Sequence, residues 1–264
     1  MTKIQKIIKY FAVGLAVLLI VSIFSTLVGI ISNIFGFSMI SESDEYVIKE
    51  INNNIIEMDI EIEASKLTFK SDNSFKIEAN NNVKIKENNK KLVIRENKSL
   101  FNNNSDEIII YLPASKQFNK VSIEAGSGDI SIDNLITKVL DLEIGAGRFV
   151  SNSLNVSSNA SLDTGTGTIN INGGLINNLD LDMGIGEVLI NGTLTGTSEI
   201  DAGVGKLEIN LNEFINNYNF HIDKGIGDIY INGETVNNHY NSGIGINKIN
   251  INGGIGRIDI NTLN

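Results

Sequence analysis

Residues 162–192 read LDTGTGTININGGLINNLDLDMGIGEVLING, and one pattern occurs twice within them. In each copy a Gly-x-Gly triplet follows alternating apolar and acidic residues and precedes a second alternating run that ends in Asn-Gly. The triplet recurs eight times in the C-terminal half, with first glycines at Gly126, Gly145, Gly165, Gly184, Gly203, Gly225, Gly243 and Gly254. The interval stays near 19 residues and shortens to 11 only at the end. Such self-similarity is typical of a stacked repeat fold, in which each unit buries its apolar face against its neighbours.

The residues around each glycine pair predict two short strands joined by a corner. Before the glycines the apolar positions fall at odd offsets, as in Leu162, and after them at even offsets, as in Ile169 and Ile171. Both sets reach one core only if the chain bends or bulges between them, and glycine permits the backbone angles required. We expect a second corner at each Ile-Asn-Gly, because Asn and Gly tolerate the left-handed conformation. Its asparagines would form an amide ladder: Asn172, Asn191, Asn232 and Asn252.

These patterns predict an all-β fold, a β-solenoid (β-helix) of short coils of about 19–20 residues, each with two strands and two corners. We place the solenoid at residues 55–264. Residues 55–120 show the same alternation without the glycines and predict irregular early coils, whereas residues 121–264 hold the Gly-x-Gly repeats. The segment from Gly254 to Asn264 is about half a coil long, and we expect it to cap the stack.

An apolar segment precedes the solenoid. Residues 10–41 carry no charge, and residues 11–31 would span roughly 31 Å as a helix, which matches the hydrocarbon core of a bilayer. A cleavable signal peptide would have a shorter apolar region and a small-x-small site, and a lipid anchor would need a cysteine. We therefore predict a transmembrane signal-anchor helix at residues 10–37 and a juxtamembrane linker at residues 38–54. Three lysines within residues 1–9 predict a cytoplasmic N-terminus and an extracytoplasmic C-terminal domain, in a single-pass protein of the cell membrane.

A resemblance to a known family is carried by three short motifs. Residues 110–113 read IYLP, residues 121–123 read VSI, and residues 126–130 read GSGDI. An apolar strand ending in Leu-Pro, followed by a loop and a glycine-marked repeat, resembles the bacterial putative-adhesin domain family of β-solenoid type. The resemblance extends from about Ile56 to the C-terminus. It implies a solenoid and, by analogy with some members, an envelope-stress surface protein, and it supplies no catalytic or binding residues.

Acidic side chains are concentrated in the repeats and fall in register. Net charge is −4 over residues 1–63, +5 over 64–100 and −11 over 101–264, which makes nucleic-acid binding by the repeats improbable. Positions two and four before the first glycine lie on the outward face of one strand. They place nine carboxylates on a single flank: Glu124, Glu143, Asp163, Asp182, Asp201, Asp223, Asp141, Asp180 and Glu199. Stacked neighbours would repel by roughly 1 kcal/mol per pair in water.

Two interpretations of this flank remain open. It is either a solvated face that keeps the protein soluble, or a face that binds cations or cationic peptides, with Ca²⁺ the plausible metal for oxygen ligands. His221 and His239 fall in the same columns, and two histidines without further ligands are more typical of surface residues than of a metal site.

The middle residue of Gly-x-Gly becomes apolar along the chain, from Ser127, Ala146 and Thr166 to Ile185, Val204, Ile226, Ile244 and Ile255. We expect these side chains to point inward and widen the core. The alternative is an outward apolar ridge suited to a partner.

Motifs for catalysis and cofactors are absent from the sequence. No Gly-x-Gly extends to dinucleotide-binding spacing, and there is no phosphate loop, Gly-x-Ser-x-Gly, His-Glu-x-x-His or cysteine. We therefore predict no catalytic residue, cofactor or metal centre. The leading hypothesis is a non-enzymatic, membrane-anchored surface protein, an adhesin or an envelope binding or sensing protein, whose partners are the lipid bilayer and cations, cationic peptides or cell-envelope polymers. The alternatives are an envelope-stress or antimicrobial-peptide-responsive regulatory membrane protein, a structural role in a membrane complex and, ranked lower, a polysaccharide lyase or hydrolase.

Overall fold

The computed structural model describes residues 46–96, 107–236 and 239–263. The predicted cytoplasmic segment 1–9 and transmembrane helix 10–37 lie outside these residues. Within the part that is described, none of the helical structure is long and apolar enough to cross a membrane. Residues 47–50, inside the segment predicted as a linker, form a strand that pairs with the rest of the fold, so the boundary at residue 55 is too late.

The described chain is built of β-strands, which confirms the all-β prediction. Its early strands are β1 (Val47–Glu50), β2 (Glu57–Ile62), β3 (Lys66–Ser71), β4 (Lys76–Ala79), β5 (Val83–Asn88), β6 (Lys91–Glu96) and β7 (Glu107–Leu112). The repeats form β8 (Gln117–Ile132), β9 (Leu135–Ser151), β10 (Leu154–Ile171), β11 (Gly174–Asn177), β12 (Leu179–Thr195) and β13 (Thr197–Phe214). A short 3₁₀ helix (Ile215–Asn217) leads to β14 (Tyr218–Asp223), β15 (Ile226–Ile231), β16 (Glu234–Val236), β17 (His239–Ser242) and β18 (Asn247–Leu263).

The central repeat coils, from β9 to β12, have three parallel strips, where the sequence predicted two strands. In β9 these strips are residues 135–137, 139–144 and 146–151, and they pair in register with the corresponding residues of β10. We call them strip 1, strip 2 and strip 3. The Gly-x-Gly corner separates strips 2 and 3, as predicted. Strip 1 escaped prediction because three residues are too few to show a clear alternation.

The Gly-x-Gly corner changes which side of the chain faces the core. In β10 the buried side chains are Leu162 and Thr164 before the glycines and Ile169 and Ile171 after them, so the predicted change of offset is confirmed. The second glycine of each stacked pair holds a positive φ, which is +152° at Gly167. A Cβ there would lie 1.9 Å from the carbonyl oxygen of the glycine below, so close stacking of backbone on backbone excludes any side chain.

Asparagines stack at the corner between strips 3 and 1. The Asn172 amide donates to Asn152 at 3.3 Å, Asn210 donates to Asn191 at 2.8 Å, and Asn261 donates to Asn210 at 2.7 Å. The predicted ladder is therefore confirmed only in part, because Asn172 and Asn191 each bond an asparagine that was not among the predicted members. The other two predicted members lie elsewhere. Asn232 pairs with Thr262, and Asn252 lies in strip 2, because its coil continues to Asn261 before turning.

The C-terminal strand lies inside the stack, so the prediction that residues 254–264 cap it is wrong. β18 pairs in parallel with β13 on one side and with both β14 and β15 on the other. It supplies a full second and third strip, with Ile249, Ile251, Ile258 and Ile260 all buried. The outermost coil is β14 and β15, and β17 and β16 cover their outer edges as antiparallel partners. Gly243, predicted as a repeat corner, lies in the connection from β17 to β18 instead.

The other end of the stack is arranged in a similar way. β2 and β3 continue strips 2 and 3 beside β8, and β6 and β7 stack outside them. β5 and β4 then cover β6 and β7 as antiparallel partners, and β1 pairs with β4. The early region thus contains parallel coils, as predicted, but β4 and β5, which were expected to belong to coils, are antiparallel covering strands. Both outermost coils are covered, which leaves less exposed strand edge for pairing with other chains.

Candidate functional site: the acidic face

The nine predicted carboxylates lie on the outward side of strip 2. Alternation along each strand buries the apolar side chains, such as Leu162 and Leu181, and turns the residues between them to solvent. Eight of the nine are exposed, and Asp223 is partly buried. We define this set as the acidic face: Glu124, Glu143, Asp163, Asp182, Asp201, Asp223, Asp141, Asp180 and Glu199.

The strand register brings these carboxylates into two columns. In the first, Glu124 pairs with Glu143, which pairs with Asp163, and the ladder continues through Asp182 to Asp201. In the second, Asp180 pairs with Glu199. Neighbouring strands in a sheet lie about 4.8 Å apart, so adjacent carboxylates of the first column repel one another and attract cations.

The insertion of β18 interrupts both columns, which the spacing of the acids did not predict. Asn252 lies between Asp201 and Asp223, and Asn250 lies beside Glu199. Their side-chain amides donate hydrogen bonds of 2.6 Å to Asp201 and 2.7 Å to Glu199. The apolar spacing around Gly254 does indicate a complete coil rather than a cap, but it does not indicate where in the stack that coil lies.

At the early end of the acidic face, the neighbouring strand β2 carries acids that are paired with cations. Asp59 and Glu61 of β2 pair with Ser122 and Glu124. Arg95 bonds both carboxylates, at 2.9 Å to Asp59 and 2.8 Å to Glu61, and Lys91 lies 2.5 Å from Asp59. Burial raises the pKa of Asp59, but the hydrogen bonds from Lys91 and Arg95 outweigh it and hold the pKa below its usual value.

The two histidines lie at the opposite end, around Asp223. The Nδ1 atom of His239 is 2.6 Å from one carboxylate oxygen, and the Nε2 atom of His221 is 3.7 Å from the other. The Nδ1 atom of His221 contacts the amide oxygen of Asn241. Both histidines are exposed, as predicted. Across the described ranges, no three or more His, Cys, Asp or Glu side chains are grouped so that they could hold a metal ion.

The middle residues of the Gly-x-Gly corners point outward, so the predicted widening of the core is wrong. The exposed fraction is 57% for Ile185, 42% for Val204, 52% for Ile255 and 72% for Ile226. The residue before the first glycine, such as Met183, fills the core instead. Ile185 belongs to strip 3, in which Val188 is buried, and a side chain three residues before Val188 faces outward. These four residues form the apolar ridge, in the spatial order Ile185, Val204, Ile255, Ile226. Ile244 is exposed in the connection from β17 to β18 and is not part of it.

Comparison with known proteins relates the chain to one family. The model of the family described as Toastrack DUF4097 matches residues 39–243. A putative cell adhesion protein from Clostridium sporogenes is 18% identical, with 83% of this chain and 99% of that chain covered and a TM-score of 0.38. A putative adhesin from Parabacteroides distasonis is 14% identical, with 84% and 98% covered and a TM-score of 0.40. A putative lipid binding protein from the same organism is also 14% identical, with 84% and 98% covered and a TM-score of 0.32. No curated protein matches the sequence.

Proposed function

The chain belongs to the Toastrack DUF4097 family, as the sequence resemblance to the putative-adhesin domain predicted, and from this premise we propose that it is a membrane-anchored, non-enzymatic surface protein whose acidic face binds cationic ligands. The observation that carries the proposal is the in-register first column of carboxylates on strip 2. Like charges directly opposite one another in a sheet are destabilising. A bound cation would remove this cost, so the face favours ligands with several positive charges.

The environment of the carboxylates supports binding over catalysis. A glycosidase needs two carboxylates in different environments, so that one donates a proton while the other stays ionised. The carboxylates of the first column from Glu124 to Asp201 are all exposed on one open strip and occupy equivalent positions in successive coils. A repeated set of equivalent groups suits a ligand with repeated charges.

The membrane anchor is the second part of the proposal and rests on the sequence. The uncharged residues 10–41 and the lysines within residues 1–9 support a single span with the solenoid outside the cell. In intact bacteria that express the full chain, external protease would digest the solenoid and spare a tag on the N-terminus. Protection of the solenoid in intact cells and its digestion after lysis would overturn this topology.

Binding is tested with a triple variant that keeps side-chain size. Asp163→Asn, Asp182→Asn and Asp201→Asn remove three adjacent charges, and Asn252 shows that asparagine fits this column. The full chain in neutral lipid nanodiscs is titrated with CaCl₂ and with oligolysine by calorimetry, against empty nanodiscs. We expect oligolysine to bind the original chain at low ionic strength, and its affinity to fall in the variant and on addition of salt.

A matched control removes the same charge from strip 3. Asp129→Asn, Glu187→Gln and Asp228→Asn change three exposed acids that follow the corners and lie outside the acidic face. This control should bind oligolysine as the original chain does. The proposal fails if neither Ca²⁺ nor oligolysine binds the original chain, or if both triple variants lose the same affinity.

A further inference from the structure

The apolar ridge is a continuous row along one end of the stack. Its four residues are successive Cα partners across β12, β13, β18 and β15. The same position in the preceding coils holds Thr166, Ala146 and Ser127, so the row is aliphatic only over these four coils. Each ridge residue stands between two glycines in the chain, which leaves bare backbone on either side of a protruding side chain.

The ridge adjoins the acidic face on one side only. Asp182, Asp201 and Asp223 lie three residues before Ile185, Val204 and Ile226 in their coils. On the other side, Lys206 and Arg257 are each bonded to a carboxylate of their own strand, at 2.6 Å to Glu208 and 2.6 Å to Asp259. Glu187 and Asp228 are exposed in the same column as these two cations, so this side of the ridge carries both signs of charge, whereas the side of the acidic face is negative.

The apolar ridge and the negative charge beside it favour a ligand that is both apolar and cationic. A second copy that met the ridge with its own ridge would bring its acidic face close to the first, and an anionic membrane would also be repelled. A ligand with an apolar stripe beside a row of Lys or Arg complements both features. The acidic columns and the ridge run in the same direction along the stack, so both could contact one elongated ligand.

The spacing of the ridge favours a helical ligand. Four positions about 4.8 Å apart extend over about 14 Å. An amphipathic helix presents one apolar position per turn of about 5.4 Å, so four of them extend over about 16 Å. An extended peptide presents alternate side chains about 6.7 Å apart, and four of these extend over about 20 Å. The helix matches the ridge to within about 2 Å, and the strand does not.

We propose that the apolar ridge and the adjoining carboxylates bind a cationic amphipathic helix that lies along the stack axis. The inference rests on the proposed function and adds to it the shape and the apolar requirement of the ligand. The apolar stripe of the helix packs on the four aliphatic side chains. Its lysines or arginines, on the adjacent side, reach Asp182, Asp201 and Asp223.

The test compares three peptides on the full chain in neutral nanodiscs, with empty nanodiscs as reference. The peptides are an amphipathic Lys/Leu helix, a scrambled peptide of the same composition without an apolar stripe, and oligolysine. We expect the amphipathic helix to bind at least tenfold more tightly than the scrambled peptide, because only its aliphatic side chains are all buried on the ridge.

A ridge variant isolates the apolar contact. Ile185→Thr and Ile226→Thr place at two ridge positions the residue that Thr166 already provides in the same column. We expect this variant to bind the amphipathic helix about tenfold more weakly and oligolysine unchanged. The control is Ile244→Thr with Ile246→Thr, two aliphatic residues that are 97% and 90% exposed outside the ridge. It should bind all three peptides as the original chain does. Unchanged melting temperatures confirm that both variants fold.

The outcomes separate this inference from the proposed function. If no peptide binds, the proposed function fails and the inference fails with it. If oligolysine binds through the acidic face but the helix gains nothing over its scrambled form, or the ridge variant binds the helix normally, only the inference is overturned. Self-association of the original chain that disappears in the ridge variant would likewise overturn it, because the ridge would then bind a second copy.

Discussion

The early coils and strip 2 of the repeat coils differ in how their outward acids are arranged. In the early coils acids contact cations, as Asp59 does with Lys91 and Arg95, and Glu107 lies 3.0 Å from Lys66. In the repeat coils, acids stack on acids from Glu124 to Asp201. One backbone arrangement therefore carries both a charge-paired surface and an unpaired one. The paired acids are attracted to their cations, whereas the stacked acids repel one another, a cost that a bound cation would lower.

The corners differ between the two regions as well. Between β2 and β3 the corner is Glu63, Ala64 and Ser65, and their backbone N–H groups point at one carboxylate oxygen of Glu96, at 2.6, 3.2 and 3.4 Å. In the repeats the corner is Gly-x-Gly, and the glycine backbones stack directly on one another. The corner between β2 and β3 is thus held by hydrogen bonds to a carboxylate. The repeated corner instead needs glycine, because its backbones stack too closely for side chains.

The largest expected effect comes from adding one methyl group to a repeat corner. At Gly186 φ is +150°, and a Cβ would lie 1.7 Å from the carbonyl oxygen of Gly167. We expect Gly186→Ala to lower the free energy of unfolding by at least about 3 kcal/mol, since strain and a backbone clash add. The measurement is denaturant unfolding followed by circular dichroism.

Gly233 provides the matched control for this substitution. It also has a positive φ, +81°, but a Cβ there meets nothing within 4 Å. Gly233→Ala should cost only about 1–2 kcal/mol, the backbone strain alone. Equal losses for the two variants would contradict the role of backbone stacking in the repeat corner.

A smaller effect is expected from acid, and it arises in the early region. The backbone N–H of Ser74, followed by the ammonium of Lys76, lowers the pKa of Asp72 from 3.8 to about 2. A lowered pKa gives stability that is present above the unfolded value, near pH 4, and is lost as the pH falls toward 2. The original chain should therefore melt at a higher temperature than Asp72→Asn at pH 5, and this difference should shrink between pH 4 and pH 2. A difference that stays constant over that range would contradict the assignment.

The smallest expected effect is a gain in stability within the acidic face. Asp182 lies between Asp163 and Asp201, so Asp182→Asn removes two repulsive contacts. We expect about 0.5 kcal/mol of added stability at low ionic strength, and less in 1 M salt. The same substitution at Asp59, which faces Lys91 and Arg95, should destabilise the protein. Thermal unfolding of the two variants side by side gives the sign of each effect, and matching signs would refute the contrast between the regions.

Residue spacing predicted the features that recur from coil to coil. It did not predict the order in which the last coils stack or the direction of the side chains at the corner. Residue spacing predicted the two strips beside the glycines, the corner between them and the outward direction of the nine carboxylates. The strand register of the repeat coils agrees with the predicted strips and corner. The order of the last coils could not be predicted, because β14 with β15 and β18 carry the same apolar offsets and either could have followed β13. The ridge residues were predicted to point inward because the two glycines beside them have no side chains. The sequence therefore does not show at which residue the core-facing side of the chain changes. Ile185 lies two residues beyond Met183, the last inward side chain, and directly after the first glycine.

The position of β18 has a consequence for how the protein is made. A stacked repeat can in general extend coil by coil as the chain emerges. Here β13 and the outermost coil pair through β18, which follows both in the chain, so that edge of β13 stays open until residues 247–263 are available. β18 therefore joins the stack only after β14 to β17 have been synthesised. A chain that stopped before it would expose an unpaired edge, the feature by which cells and neighbouring chains recognise a misfolded sheet.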